Sequence, residues 1–320
     1  MAPLLEIKKL CTEFRLASGV LKAVRSVDLS VEPGETLALV GESGCGKSIT
    51  AASIMRLVPP PGRIASGAIL FQGVDLLKLS QEQMRGIRGN RIAMVFQDPM
   101  TSLNPVFTIG HQVAEGLRMH RGLTGAEAER EAVAMLAQVG IPAPEERLRD
   151  YPHQLSGGMR QRVMIAMALV CGPELVIADE PTTALDVTIQ AQILELLDRL
   201  KTENRMGLIL ITHNLGIVAE RAHRTAIMYA GEIVEMAETC ELFQNPLHPY
   251  TRGLLSSLPE FGTPGERLAT IAGSVPDLKG ELIGCPFLER CPIGDDACAT
   301  VETGMKEAGN GHLVRCLKAP

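Results

Sequence analysis

The amino-acid sequence predicts an α/β fold in which apolar strands alternate with helices. A β-rich run at residues 35–40 leads into a glycine-rich loop and then into a helical pattern at residues 49–57. Two later apolar runs, at residues 174–178 and 207–211, end on polar side chains. Because ligands of open α/β sheets bind at the carboxyl ends of the strands, we expect a binding site at that edge.

The glycine-rich loop has the sequence GESGCGKS at residues 41–48 and fits the pattern G-x-x-x-x-G-K-S. Its backbone N–H groups can surround phosphate oxygens where side chains would block them. Lys47 supplies a charge for the β- and γ-phosphates, and Ser48 offers a hydroxyl to Mg²⁺ at the start of a helix. The alternative is a chance match, which the strand–loop–helix context argues against. The predicted ATP contacts are Gly41, Ser43, Gly44, Cys45, Gly46, Lys47, Ser48 and Ile49.

Two adjacent acids, Asp179 and Glu180, follow the apolar run at residues 174–178. Asp179 is predicted to hold Mg²⁺ through water, and Glu180 is predicted to polarise the water that attacks the γ-phosphate. The next strand ends in Thr212-His213, which places a histidine at the same edge as a candidate contact to the γ-phosphate. Each signal is weak alone, since a lone histidine is more often a surface or core residue.

The segment LSGGMRQ at residues 155–161 predicts a second anion site. Ser156, Gly157 and Gly158 precede a helical pattern from Met159 to about Val170, and they offer bare N–H groups at its start. Two anion sites with only one phosphate loop indicate a head-to-tail pair of chains, in which each chain completes the other's site. An isolated chain should therefore be a poor ATPase.

These motifs point to a known family. The chain resembles the nucleotide-binding subunits of ATP-binding cassette (ABC) transporters, and most closely those of bacterial oligopeptide and dipeptide importers. The resemblance covers nearly all of the 320 residues, although nickel and other small-solute importers share the same strings. Its motifs are GESGCGKS at 41–48, FQDPMTSLNP at 96–105, LSGGMRQRVMIAMAL at 155–169, ADEPTTALD at 178–186 and THNLG at 212–216.

The resemblance implies that two subunits share each ATP molecule. Asp186 would cross the interface between the subunits. The signature residues of one subunit would contact ATP held by the other. These are Ser156, Gly157, Gly158 and Gln161.

The resemblance also implies roles on the chain's own side of the site. Gln97 would sense Mg²⁺ and the attacking water, His213 would be a switch histidine, and both would act with Glu180 in catalysis. Phe14 would stack on adenine, although an aromatic residue there is as often core packing. The implied Mg²⁺ ligands are Ser48, Gln97 and Asp179.

The chain departs from the family pattern at one position of the switch motif. Peptide-importer cassettes usually carry an acidic residue directly after the switch histidine, and here that residue is Asn214. Glu180 and His213, whose loss usually marks a degenerate site in the family, are both present. We therefore expect a catalytically competent site.

The sequence pattern divides the chain into three parts. Residues 1–98 and 168–235 alternate strands and helices, and they predict the RecA-like core of a P-loop NTPase. Residues 99–167 are mostly helical, with helix periodicity at residues 125–139, and the resemblance implies that this subdomain meets the membrane subunits. Residues 236–320 are rich in Pro and Gly and predict a small irregular C-terminal extension with too little pattern for a large independent core.

Four of the eight cysteines lie in that extension, at Cys285, Cys291, Cys298 and Cys316. Four thiolates are the usual ligand count for zinc or an iron–sulfur cluster, and disulfides are rare in cytosolic chains. Peptide-importer ATPases of similar sequence have this GCPF…RCP pattern, and in some of them it holds a 4Fe–4S cluster. We favour that cluster as a structural lock, with zinc and free thiols as the alternatives.

The composition favours a soluble cytoplasmic subunit, and the resemblance implies that it binds peripherally to the cytoplasmic face of the inner membrane. No run approaches the ~18–20 apolar residues of a spanning helix, and the amino terminus lacks the pattern of a secretion signal. The net charge of −6 argues against nucleic acid as the main partner.

The first functional hypothesis is an ATPase that drives inward transport of dipeptides or oligopeptides. It would bind MgATP, pair with a related cassette subunit as a heterodimer, and act on two transmembrane permease subunits, with an extracytoplasmic binding protein as an indirect partner. The alternatives are the same role for nickel or another small solute, and a soluble ABC ATPase such as one of iron–sulfur assembly.

Overall fold

The structure is a computed structural model that describes residues 2–183, 186–258, 270–280 and 282–319. Its strands are β1 (Leu5–Leu16), β2 (Gly19–Val31), β3 (Thr36–Val40), β4 (Gly62–Phe71), β5 (Val74–Asp75), β6 (Ile92–Val95), β7 (Leu175–Asp179), β8 (Gly207–Thr212), β9 (Arg224–Tyr229), β10 (Glu232–Glu238), β11 (Lys306–Glu307) and β12 (Leu313–Val314).

The helices alternate with these strands along the chain. None of the helices within the described ranges has the length and apolarity needed to cross a membrane. They are α1 (Lys47–Ile54), α2 (Gln81–Ile87), α3 (Pro99–Ser102), α4 (Ile109–Gly116), α5 (Gly125–Gln138), α6 (Pro144–Arg147), α7 (Gly157–Leu169), α8 (Val187–Asn204), α9 (Leu215–Arg221), α10 (Thr239–Gln244), α11 (Pro249–Ser256) and α12 (Asp296–Thr300).

The chain forms two compact units. Unit 1 comprises Met1–Val31, Glu35–Leu77 and Leu210–Pro320, and unit 2 comprises Glu32–Gly34 and Lys78–Ile209. The boundary between residues 209 and 210 falls inside β8. The three-part division expected from the sequence stays a prediction, and its last boundary, at residue 236, falls inside β10.

Unit 1 contains two groups of paired strands. β1 pairs antiparallel with β2 and β4, and β4 pairs with β5. In the other group β9 pairs parallel with β3 and antiparallel with β10, and β12 joins β10 to β11. Every residue of β3 is buried. This explains why β3 is apolar from Leu37 to Val40, as buried parallel strands are.

The C-terminal extension contributes aromatic residues to the core of unit 1. Tyr250 and Phe287 are almost fully buried and pack with Tyr229 of β9. Their ring centroids lie 4.7 Å (Tyr229–Tyr250), 5.2 Å (Tyr229–Phe287) and 5.4 Å (Tyr250–Phe287) apart. Such pairs contribute about 0.5–1.5 kcal/mol each beyond the burial of their area. The extension therefore packs into a core that it shares with the strands, which is why its own sequence shows little pattern.

Unit 2 contains the parallel pair β6 and β7 and a group of helices. The pairing register places Ile92 opposite Leu175 and Val95 opposite Ala178. Helices α4, α5 and α7 pack on one another through buried side chains such as Val113, Leu136 and Val163. Helices α3 to α7 lie in the segment after residue 98, and α5 covers nearly all of the helix predicted at residues 125–139.

Two helices begin earlier than the apolar patterns predicted. Helix α1 begins at Lys47 rather than Ile49, because Gly46 takes a left-handed conformation that starts the first turn. Helix α7 begins at Gly157 rather than Met159, because the Ser156 hydroxyl caps it. Apolar periodicity marks only the turns that pack on a core, so it does not include capping residues.

Candidate functional site

The phosphate loop joins β3 to α1 and runs from Gly41 to Gly46. A Cβ atom at Gly41 would lie 2.2 Å from the carbonyl oxygen of Met228, and one at Gly46 would lie 2.4 Å from that of Ala23. Gly46 also has a φ of 110°, which residues with a Cβ rarely adopt. Both positions therefore require glycine, and the loop keeps the bare backbone N–H groups that phosphate binding needs.

Lys47 opens α1, and its side chain is buried in the loop. Its Nζ donates hydrogen bonds to the carbonyl oxygens of Gly41 at 2.7 Å and Glu42 at 3.0 Å. The Cys45 sulfur lies 3.7 Å from the same nitrogen. Burial raises the pKa of this thiol and outweighs the opposing effect of Lys47, so Cys45 is protonated at neutral pH. Ser48, the next residue, is exposed in the first turn of α1.

Unit 2 brings Gln97 and Glu180 together. Gln97 lies just after β6 and Glu180 directly after β7, and these two strands are paired. Gln97 Nε2 donates to Glu180 Oε2 at 3.2 Å, and Thr183 Oγ1 donates to the same oxygen at 2.9 Å. Asp179, the last residue of β7, is buried. The two residues predicted to handle the attacking water are thus in contact, and Thr183 is a partner that sequence reasoning missed.

The signature segment forms the start of helix α7. Ser156 Oγ accepts the backbone N–H of Met159 at 3.3 Å, which caps the helix. Gly158 lies against α8, since a Cβ atom there would be 3.0 Å from the Ile189 side chain. The buried Gln161 side chain donates from Nε2 to the carbonyl oxygen of Pro181 at 2.5 Å. Gln161 therefore belongs to the signature and also fixes the backbone directly after Glu180.

Asp186 and Asn214, which the sequence motifs singled out, both act as helix caps. Asp186 precedes α8, and its Oδ1 accepts the N–H of Ile189 at 2.9 Å. Asn214 precedes α9, and its Oδ1 accepts the N–H groups of Gly216 at 3.0 Å and Ile217 at 3.3 Å. The amide of Asn214 thus does the capping that a carboxylate would do, which gives a physical reason for asparagine at this position.

The remaining predicted residues lie in unit 1. His213 is exposed at the end of β8. Phe14 is half-buried in β1 opposite Gly62 of β4, and a Cβ atom at Gly62 would lie 2.6 Å from its ring. The ring therefore packs on the sheet, and its stacking on adenine stays a prediction.

The predicted residues are distributed over both units. Unit 1 carries the phosphate loop, Phe14 and His213. Unit 2 carries the signature together with Gln97, Asp179, Glu180 and Asp186. The role of each residue stays a prediction.

The four cysteines of the extension differ in burial, and two of them have raised pKa values. Cys298 and Cys316 are buried, and Cys285 and Cys291 are partly buried. Burial raises the pKa of the Cys285 thiol, a hydrogen bond from the backbone of Phe287 lowers it, and the other three thiols raise it further. Burial also raises the pKa of Cys291, with further increases from Cys316 and Cys298.

The backbone also brings parts of this cysteine segment close together. The N–H of Cys285 donates to the carbonyl oxygen of Cys298 at 2.8 Å, and Gly284 lies so close to Ala299 that a side chain would not fit. Among the described residues, which include all four cysteines, no three His, Cys, Asp or Glu side chains are placed to hold a metal ion. This arrangement does not support the expected iron–sulfur cluster, which is therefore left as a proposal.

Sequence reasoning missed two residues of the extension that contact the phosphate loop. Tyr250 Oη accepts the backbone N–H of Glu42, and Arg290 forms a bidentate ion pair with the Glu42 carboxylate. The position of Arg290 directly before Cys291 was visible in the sequence. Its partner lies 248 residues away along the chain, and no local pattern predicts such a pairing.

Comparisons with known proteins match these features. A family model described as ABC transporter matches residues 24–183, which include the phosphate loop, the signature and both acids. The chain belongs to the ABC transporter family. A second model, described as Oligopeptide/dipeptide transporter, C-terminal region, matches residues 234–298. This ABC ATPase therefore carries the C-terminal region of the oligopeptide/dipeptide group, as the resemblance implied.

Full-length relatives support the same grouping. The chain is 53% identical over 328 residues to a protein of Brucella melitensis named as a peptide import ATP-binding protein, covering 99% of this chain and 97% of the relative. It is 50% identical over 317 residues to the dipeptide transport ATP-binding protein of Bacillus subtilis, covering 99% and 95%.

A solved structure supports the assignment to an ATPase fold. The chain resembles a dimeric ATP-binding cassette in a post-hydrolysis state, bound to ADP and Pi. The TM-score is 0.65 at 26% identity, and the match covers 73% of this chain and 98% of the solved one. The α/β fold of a P-loop ABC ATPase is therefore confirmed.

Proposed function

We propose that this ABC ATPase energises the import of dipeptides or oligopeptides at the cytoplasmic face of the cell membrane. The observation that carries the proposal is the identity of about half of all residues, over nearly the full chain, with relatives named for peptide import and dipeptide transport. The match to the oligopeptide/dipeptide C-terminal region supports it independently of the cassette.

The chemistry we propose is in-line attack of water on the γ-phosphate of ATP. In unit 1, the loop N–H groups and Lys47 would hold the phosphates. In unit 2, Glu180 would polarise the attacking water, and its contact with Gln97 would connect it to the residue that senses Mg²⁺ and that water. Mg²⁺, when bound, would neutralise developing charge on the phosphates. Positioning and electrostatics would supply most of the rate enhancement.

We propose residues 99–167 as the part that meets two permease subunits. Three large apolar side chains that follow Gln97 are exposed in unit 2: Met100 at 61%, Val106 at 71% and Phe107 at 45%. Apolar side chains with this exposure are suited to contact with another protein. Their closeness in sequence to Gln97 gives a short covalent path between the permease and the residue that contacts Glu180.

The partner cassette is proposed to be a related chain, giving a heterodimer. The one phosphate loop and one signature of this chain support pairing with a second cassette. The experiment that tests the function is coexpression with the cognate permease subunits and binding protein, reconstitution in vesicles, and measurement of ATP hydrolysis. A dipeptide or oligopeptide mixture should stimulate hydrolysis, whereas nickel chelates should not. Stimulation by nickel alone would contradict the peptide assignment.

We also propose that the four cysteines of the extension hold a 4Fe–4S cluster. What supports it is the donor set, four cysteines between residues 285 and 316, in which the backbone N–H of Cys285 donates to the carbonyl oxygen of Cys298 at 2.8 Å. A cluster of four irons holds its thiolates further apart than one zinc ion does. When bound, it would cross-link the extension. Protein purified without oxygen should contain about four irons and four sulfides per chain, and Cys291→Ser should lose them. Absence of iron would contradict this proposal and leave the ATPase intact.

A further inference from the structure

The second residue of the phosphate loop, Glu42, is held at two points by the C-terminal extension. Its backbone N–H donates to Tyr250 Oη at 3.0 Å. Its carboxylate accepts from both Nη1 and Nη2 of Arg290, each at 3.0 Å. A bidentate pair of this kind fixes both the distance and the orientation of the carboxylate.

Both anchors are themselves held rigidly. The Arg290 side chain is only 5% exposed, and its Nε donates to the carbonyl oxygen of Ala272 at 2.9 Å. Its guanidinium lies over the rings of Tyr229 and Phe287, 5.7 Å and 5.8 Å from their centroids. Tyr250 is fully buried. Because neither anchor can move without disturbing this core, the loop must conform to them.

The anchored residue is connected directly to the phosphate-binding lysine. The carbonyl oxygen of Glu42 accepts from Lys47 Nζ at 3.0 Å. It also accepts the backbone N–H of Cys45 at 3.3 Å, which closes the turn of the loop. Displacing Glu42 would therefore move the Lys47 ammonium and the turn together. In addition, Arg290 neutralises a carboxylate on a loop that must bind an anion.

We propose that Arg290 and Tyr250 are positioning residues for the phosphate loop, and that through Glu42 the C-terminal extension sets the affinity for ATP. The proposal rests on the ATP site alone, so failure of the peptide-import or cluster proposals leaves it unaffected. The extension, in this view, is part of the nucleotide site and not only a packing element.

The test compares the full-length chain with Arg290→Gln, Arg290→Lys, Glu42→Gln and the Glu42→Gln/Arg290→Gln double variant. Isothermal titration gives the Kd for MgATP, and the complex with permease subunits gives KM and kcat. Arg290→Gln should raise Kd and KM roughly tenfold with little change in kcat at saturating ATP. Arg290→Lys should recover part of the loss, since it restores the charge without the bidentate geometry.

The double variant distinguishes positioning from a general loss of stability. Removing the Glu42 charge should relieve the uncompensated carboxylate, so the double variant should bind ATP better than Arg290→Gln alone. The matched control is Arg252→Gln, an exposed arginine of the same extension whose Nε donates to the carbonyl oxygen of Pro246 at 2.8 Å. Its Kd for MgATP should equal that of the wild type.

The proposal is overturned if Arg290→Gln lowers the melting temperature but leaves Kd unchanged, or if the losses from Glu42→Gln and Arg290→Gln simply multiply in the double variant. If Arg290→Gln does not fold, Arg290→Lys and Tyr250→Phe decide the matter. The latter removes only the oxygen that accepts the Glu42 N–H. A weaker Kd in either variant supports the proposal, and wild-type affinity in both overturns it.

Discussion

Glu180 combines an unusual backbone with a shared carboxylate oxygen. Its φ of 46° lies in the left-handed region, which costs a residue with a Cβ about 1–2 kcal/mol. This conformation turns the chain directly after β7, so that Asp179 is buried while Glu180 reaches Gln97 and Thr183. Strain of this kind is typical of catalytic positions, and it fits a residue that must point away from its neighbour.

Replacing Glu180 by glutamine should stop hydrolysis while preserving ATP binding. The amide keeps the size of the side chain but cannot accept a proton from the attacking water. We therefore expect the rate of phosphate release to fall roughly 10²–10⁴-fold. The Kd for MgATP should stay close to the wild-type value. The control is Glu195→Gln, an exposed glutamate on α8. A Glu180→Gln chain that retains wild-type turnover would remove Glu180 from catalysis.

Asn214 should tolerate replacement by aspartate but not by alanine. The side chain accepts two N–H groups at the start of α9, so Asn214→Ala should lower the free energy of unfolding by about 1 kcal/mol. Asn214→Asp keeps both acceptors and adds a favourable charge at a helix start, and its stability should equal or exceed that of the wild type. Urea denaturation measures both. Equal stability of the alanine variant and the wild type would show that the cap contributes nothing.

At the level of elements, α11 links the extension to the core through its capping residue. His248 precedes the helix, and its Nδ1 accepts the N–H of Tyr250 at 3.0 Å. His248 is 1% exposed, and burial lowers its pKa to about 4. The cap therefore works with a neutral imidazole. The same helix presents Tyr250 to the phosphate loop. The protonation state of His248 therefore affects the helix that contacts this loop.

This buried histidine should make stability depend on pH in a defined window. Between pH 6.5 and about 4 the unfolded chain binds a proton that the folded chain does not, so stability is full above pH 6.5 and falls as the pH drops towards 4. The loss from this group is roughly 3 kcal/mol. In His248→Asn, which can still cap the helix, this part of the pH dependence should vanish. Denaturation of both proteins across pH 4–7 gives the difference, and parallel curves would contradict it.

The buried Glu232, which lines the same cavity as His248, acts in the opposite sense, which is why the comparison uses a difference between two proteins. Burial raises the pKa of Glu232, so its contribution to stability is present at low pH and is lost as the pH rises through the folded value. Both proteins contain Glu232, and its contribution cancels in the comparison. The difference in the pH dependence of stability between the two proteins therefore comes from His248 alone.

For the whole molecule, hydrolysis should depend on a second cassette. We expect the purified chain, at 34.4 kDa, to remain monomeric with MgATP and to hydrolyse it slowly. Adding the related subunit should raise the rate and, with Glu180→Gln in place of the wild type, trap a dimer visible by light scattering. Lys47→Ala, which removes the charge for the phosphates, should not form that dimer. A chain that dimerises alone and reaches full activity would contradict the heterodimer and favour a homodimer.

Local chemistry made much of this molecule predictable from its sequence. The phosphate loop, the strand that precedes it and the two acids at the end of β7 follow from residue types at fixed spacing, because local backbone geometry decides which groups can face a phosphate. Apolar periodicity predicted α5 and α7, though it placed the start of α7 two residues late. Ser156 and Gly46, which precede α7 and α1, carry no apolar side chain, so apolar periodicity does not include them.

The amino-acid sequence by itself determined the ATP-binding motifs and the family, since these depend on short segments whose geometry is local. Only the tertiary structure decided that Gln97 meets Glu180 and that Arg290 and Tyr250 hold Glu42. These contacts join residues 83 to 248 positions apart. Gln97 meets Glu180 because β6 pairs with β7. Arg290 and Tyr250 reach the loop because the aromatic residues of the extension are buried in the core of unit 1. That is a property of packing, and no segment of the sequence contains it.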